Sequence, residues 1–143
     1  MADLLVELLA VEDCAHLEQA RRDLETVLYG GVFETPIQLI YVTSQDDAEF
    51  LGFPGSPTIR INGEDVAPAP GLPAGLGCRL YRDGSGRAVG LPPIEMIRAA
   101  VEAHRRGRLE AFRQSEAAMV AEFAREADAA EASSEGGSKD EHR

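Results

Sequence analysis

Leu51-Gly52-Phe53-Pro54-Gly55-Ser56-Pro57-Thr58-Ile59-Arg60-Ile61-Asn62-Gly63 is the stretch on which the reading of this chain turns. Gly52 ends whatever precedes it. Ser56-Pro57 is an X-Pro bond where a loop opens into a strand, a place for a cis peptide that leaves the preceding backbone groups facing a ligand. Thr58 to Ile61 alternate as a half-buried strand does. Asn62-Gly63 is the strongest short hairpin signal. Glu64-Asp65-Val66 is therefore expected to return antiparallel.

Toward the N-terminus, Leu4-Leu5-Val6-Glu7-Leu8-Leu9-Ala10-Val11 is a near-continuous apolar run of strand length, suited to a central strand covered on both faces. Asp13 is expected to cap the helix that follows. From residue 15 to 29, Leu17, Ala20, Leu24, Val27 and Leu28 recur at spacings of three and four, which makes one helix face. Gly30-Gly31 is its expected stop. Residues 37–42 read as a second buried strand, and Ser44 caps a short acidic helix over 46–51. The order βαβα implies two parallel strands.

Toward the C-terminus, residues 67–77 hold three prolines and three glycines and form an irregular loop, long for a compact domain. Cys78-Arg79-Leu80-Tyr81-Arg82 reads as a strand, 83–86 as a turn, and 87–89 as pairing back. Pro92-Pro93 starts a helix whose inner face is Ile94, Ile97 and Val101. Gly107 is expected to bend or interrupt it. Beyond lies a strong helix former with an apolar stripe of Leu109, Phe112, Met119, Val120 and Phe123. These readings divide the chain into a domain over 1–106, a helical extension over 107–131 and a disordered tail over 132–143.

The net charge of the 143 residues is −11, from 25 acidic and 14 basic side chains. That argues against a nucleic-acid binder, which needs a basic face, and against an anionic membrane surface. No apolar run approaches membrane-spanning length, and the acidic start Met1-Ala2-Asp3 is unlike a signal peptide, so a cytoplasmic location is expected. Histidine and cysteine never fall at zinc-site spacing, and no metal or other cofactor is called for.

Two positions invite chemistry. Cys14 follows the first strand and is expected at a helix start, where N–H donors and the dipole stabilise a thiolate. Asp13 opposes this by charge, and a protonated His16 would offset it. Cys78 reads first as a buried strand residue. It reaches Cys14 only if the loop after the hairpin returns to that end of the sheet. If the strand containing Cys78 instead runs antiparallel to Thr58–Ile61, it lies at the far end.

Strand, cysteine, helix, strand, helix and then Ser-Pro-Thr opening a hairpin resembles the thioredoxin fold. More narrowly, Val11-Glu12-Asp13-Cys14, the stretch from Leu51 to Gly63, and Cys78-Arg79-Leu80-Tyr81-Arg82 resemble a group of small bacterial thioredoxin-like proteins, some labelled alkylmercury lyase. The resemblance covers roughly residues 4–101. It implies a thioredoxin-like three-layer α/β/α arrangement with a mixed sheet, to which this chain adds a long C-terminal helix. It implies thiol chemistry at Cys14, with Ser56, Pro57 and Thr58 binding substrate and the Ser56 backbone pairing with it like a strand.

The departure is at the resolving position. Cys14-Ala15-His16-Leu17 lacks the second cysteine of C-x-x-C, so dithiol exchange within the motif is impossible. Three readings stay open: a monothiol activity of Cys14, a redox pair with Cys78, or a partner-binding adaptor without catalysis. The expected substrate is a small thiol or a protein disulfide. The lyase label adds a variant in which two thiolates hold mercury and Asp13 protonates the leaving carbon. A helix as long as the extension is expected to overhang the domain, where its apolar stripe would stay wet unless another chain covered it, which suggests a homodimer through the C-terminal helix.

Overall fold

A computed structural model describes the backbone of residues 4–29 and 35–141, and side chains as far as Ala127. The expected helix stop at Gly30-Gly31 lies outside the described residues. Two compact units divide the chain, Met1–Arg105 and Arg106–Arg143.

In the first unit, β1 (Val6–Ala10) lies between β2 (Ile37–Tyr41) and β3 (Thr58–Ile61), and β4 (Glu64–Asp65) extends the sheet beyond β3. β1 and β2 are parallel, with Val6 opposite Ile37 and Ala10 opposite Tyr41. β3 is antiparallel to β1, with Val6 opposite Ile61 and Leu9 opposite Thr58. Asn62 (φ 53°) and Gly63 (φ 82°) both take the left-handed conformation of a two-residue hairpin turn. The fold is thus mixed α/β with a four-stranded mixed sheet and a long C-terminal helix.

Alternation along β1 feeds two cores. Val6, Leu8 and Ala10 join α1 (Leu17–Tyr29), Ile59, Ile61 and the start of α3 through Ile97 and Val101. Leu9 joins Val42, Ala48 of α2 (Gln45–Leu51) and Phe53. Phe53, Leu8, Leu9, Leu24 and Leu28 are fully buried, each contributing roughly 1.5–3 kcal/mol. β2 departs from the expected buried strand. Among the described residues it is an edge strand paired with β1, and Gln38, Leu39 and Tyr41 are exposed.

α2 is closed at both ends by side chains and backbone. Ser44 Oγ accepts from Asp47 N at 3.1 Å. Gly52 adopts φ 62° at the C-cap, and Arg60 Nη2 donates to the carbonyls of Leu51 and Gly52 at 2.7 and 3.1 Å. The segment from Cys78 to Arg82 is not one strand. Only Tyr81–Arg82 forms β5, paired with β6 (Ala88–Val89) in a separate two-stranded ribbon. Asp83 Oδ1 holds that ribbon's turn by accepting from Ser85 N, Ser85 Oγ and Arg87 N, and these bonds hold its carboxyl below the usual range.

α3 runs from Ile94 to Glu141. It passes Gly107 without the expected interruption, because one helical glycine costs only about 1 kcal/mol relative to alanine. It also continues to Glu141 through most of the segment read as a disordered tail, since each added residue of a formed helix gains a backbone bond.

Candidate thiol site

Cys14 does not open α1. Its N–H donates to Val11 O at 3.3 Å, which closes a turn with Glu12 and Asp13 at its corners. Its carbonyl accepts from Leu17 N, and the helix begins there. Asp13 is therefore a turn residue and not the helix cap. The tight turn at 11–14 consumes the residues that would have formed the first helical turn. Cys14 is half-buried against the first core, while Asp13 and His16 are exposed. The imidazole of His16 rests on Gly90, where an added Cβ would fall 2.4 Å from Nε2.

The loop after the hairpin returns to this end of the sheet. Ser56 N donates to Gly77 O at 2.9 Å, and Arg79 N donates to Ser56 O at 3.0 Å. Cys78 is thereby bridged in parallel to Ser56. Upstream, Gly75 N bonds Phe53 O, and Gln45 Nε2 bonds Ala74 O, each at 3.0 Å. Residues 74–79 form a strap laid along 53–56. Gly55 permits the approach: at φ 133° it faces Arg79 Cα and Gly77 O, and a Cβ there would come within 3.2 and 3.1 Å of them. Cys78 is exposed rather than buried, contrary to its first reading as a core strand residue.

Ser56, Pro57 and Thr58 are buried, and the Ser56–Pro57 peptide is cis. Ser56 Oγ accepts from Val11 N at 3.1 Å, tying this segment to the residue that begins the Cys14 turn. Pro57 O accepts from the Tyr81 hydroxyl. Thr58 Oγ1 donates to Gly55 O at 2.8 Å and accepts from Arg79 Nη1 at 3.1 Å. All three residues expected to bind substrate thus bond within the chain, and the Ser56 backbone is paired with the strap.

Arg79 and Tyr81 are the site residues that sequence reasoning missed. Arg79 is 3% exposed. Its Nη1 lies 2.6 Å from Asp65 Oδ2, Nη2 donates to Ala67 O, and the guanidinium sits 4.5 Å from the Tyr81 ring centroid. Its Nε is buried without a hydrogen-bond partner among the described residues. Burial pushes the Tyr81 phenol well above the usual range, against the pull of Arg79, and the Asp65 carboxylate pushes it further up. Tyr81 thus stays a donor to Pro57 O. The missed signal was alternation: Arg79 and Tyr81 share one face, and Cys78 and Leu80 the other.

Beside the turn lies an open cleft of about 260 Å³, lined by Val11, Glu12, Asp13, Val42, Thr43 and Leu76. It sits past the carboxyl ends of the parallel strands β1 and β2, the usual ligand position in such sheets. Glu12 and Asp13 are the charged groups of its lining, Leu76 comes from the strap, and Asp13 adjoins Cys14. Among the described residues no helix is long and apolar enough to cross a membrane, and no group of three or more His, Cys, Asp or Glu side chains is placed to hold a metal. Comparison with family models, curated proteins and solved structures finds no match to this chain.

Proposed function

We propose that this chain is a cytoplasmic thioredoxin-like protein of three-layer type that performs thiol chemistry at Cys14, with Cys78 as its second thiol. The observation that carries the reading is the strap. It bridges Cys78 to Ser56, whose hydroxyl holds the first residue of the Cys14 turn. The parallel β1–β2 pair and the antiparallel β3 that opens at Pro57 support it. In this reading Cys14 attacks a disulfide or captures a soft electrophile such as an organomercurial, and Cys78 resolves the product.

The test is substitution. Cys14→Ser is expected to abolish disulfide exchange and electrophile capture while leaving the melting temperature nearly unchanged, because the side chain is only half-buried. Cys78→Ser is expected to leave the first exchange intact and to remove an intramolecular disulfide, which mass spectrometry detects in the oxidised wild type. Full activity in Cys14→Ser overturns the reading. The exposed apolar side chains of α3 favour a second reading, a partner-binding adaptor. An unreactive Cys14 in the folded protein would decide for it.

A further inference from the structure

We infer that the open side of β2 docks an extended segment of another protein, apolar at alternate positions and carrying lysine or arginine where it passes the carboxyl end of β2. The docking holds whether or not Cys14 is reactive. Among the described residues β2 pairs with β1 alone. Val42 N donates to Ala10 O at 2.9 Å, so Val42 faces β1, and by alternation Ile40 and Gln38 face it too. The N–H and C=O groups of Ile37, Leu39 and Tyr41 therefore point to the open side, a template for one more strand. Exposed edges are usually blunted by charged side chains, prolines or bulges. Ile37-Gln38-Leu39-Ile40-Tyr41 has no charge and no proline, and its register with β1 runs without a bulge. Leu39 and Tyr41 stand opposite Leu8 and Ala10 on one face, and they are 40% and 46% exposed there. Apolar residues at alternate positions of an added strand would cover them.

Charge selects the occupant. β2 runs directly into Val42 and Thr43, which line the open cleft with Glu12 and Asp13, and no basic side chain is in that lining. Asp47 Oδ2 accepts from Thr43 Oγ1 at 3.4 Å, which sets a third carboxylate at the same end. Glu12, Asp13 and Asp47 are all exposed. A lysine or arginine of the added strand meets these carboxylates, whereas a second copy of the chain brings a net charge of −11 with it. The backbone edge supplies the strand pairing and the acidic end supplies the choice of partner.

The test is amide hydrogen exchange and NMR titration of the full chain, kept reduced. The probe is a blocked peptide of two lysines followed by alternating threonine and valine, which antiparallel pairing sets with its lysines beside Thr43. The reversed sequence covers parallel pairing. In the free chain the Leu39 and Tyr41 amides should exchange faster than those of Gln38 and Ile40, which the sheet holds. One of the two peptides should slow Ile37, Leu39 and Tyr41 and shift their signals. Its glutamate counterpart should bind about tenfold more weakly or worse at low salt, as attraction gives way to like-charge repulsion. That gap should narrow as salt screens it and in Glu12→Gln with Asp47→Asn. Methylation of the peptide amides that face β2 should abolish binding to the wild type. Leu39→Pro removes an outward N–H and no bond to β1, and should weaken binding about fivefold. Outward amides already protected in the free chain, or no shift at β2 with either lysine peptide, overturns the docking edge. Binding that survives amide methylation overturns the strand mode, and equal binding of the lysine and glutamate peptides overturns the basic partner.

Discussion

At the scale of single residues, Tyr81 shows how burial turns a side chain into a fixed donor. Its hydroxyl holds Pro57 O, and burial raises its proton affinity above that of a solvated phenol. The consequence for stability has a definite sign. Above a pH near the ordinary value of 10.0, the unfolded chain releases this proton and the folded chain keeps it. The unfolded state then binds fewer protons, so stability contributed by Tyr81 is full below that pH and is lost as pH rises through it. Tyr81→Phe should lower stability at neutral pH by about 1–3 kcal/mol, the cost of leaving a buried carbonyl unsatisfied. It should also flatten the decline between pH 9.5 and 11, measured by urea unfolding. An unchanged slope would show that another group causes the alkaline loss. Cys14 teaches the opposite lesson about what a sequence displays. Its position after the first strand was legible, but its helix-start geometry was not, because the turn from Val11 to Cys14 is a local choice among backbone bonds that propensity does not rank.

Among the elements, those with strong periodicity or turn chemistry were readable: β1, the apolar face of α1, the Ser44 and Gly52 ends of α2, and the hairpin at Asn62-Gly63. The strap was not. Nothing in its prolines and glycines says that residues 77–79 pair with Ser56, since that bridge joins segments about twenty residues apart and depends on the space Gly55 leaves. Arg79 was hidden for a related reason. An arginine in a strand reads as solvent-facing, and its burial here rests on the Asp65 carboxylate together with Thr58, Ala67 O and the Tyr81 ring. This pairing gives an element-scale prediction. Asp65→Ala leaves the Arg79 guanidinium buried with its charge uncompensated, and should destabilise the first unit by about 3 kcal/mol. Arg79→Met with Asp65→Ala should recover part of that loss, because the double change removes both charges. Equilibrium unfolding of the four proteins of the cycle measures it. A double variant as unstable as the sum of the singles would show that the pair is not what holds the strap.

For the whole molecule, the unresolved balance is between charge and exposed apolar surface. The second unit carries Leu109, Phe112, Met119, Val120 and Phe123 on α3, each at least half exposed. The spacings of three and seven from Leu109 to Phe112 and from Phe112 to Met119 place them along one side of the helix. The proposed cover for this stripe is a second copy of the chain, since a two-fold pair lets the same face serve both partners. Burying one such side chain is worth roughly 1.5–3 kcal/mol, so several pairs outweigh the ordering of two helices. The net charge of −11 opposes the association at long range. The dimer should therefore tighten as salt screens that repulsion, the reverse of an interface held by ion pairs. Light scattering at tens of micromolar is expected to give twice the chain mass, with the dimer fraction higher at 0.5 M than at 0.05 M salt, on either side of the ionic strength where screening reaches about 8 Å. Phe112→Gln with Phe123→Gln should return the mass to that of one chain without changing the melting of the first unit, because neither residue belongs to its cores. A wild type that stays monomeric at both salts rules out self-association and leaves the stripe to a different protein.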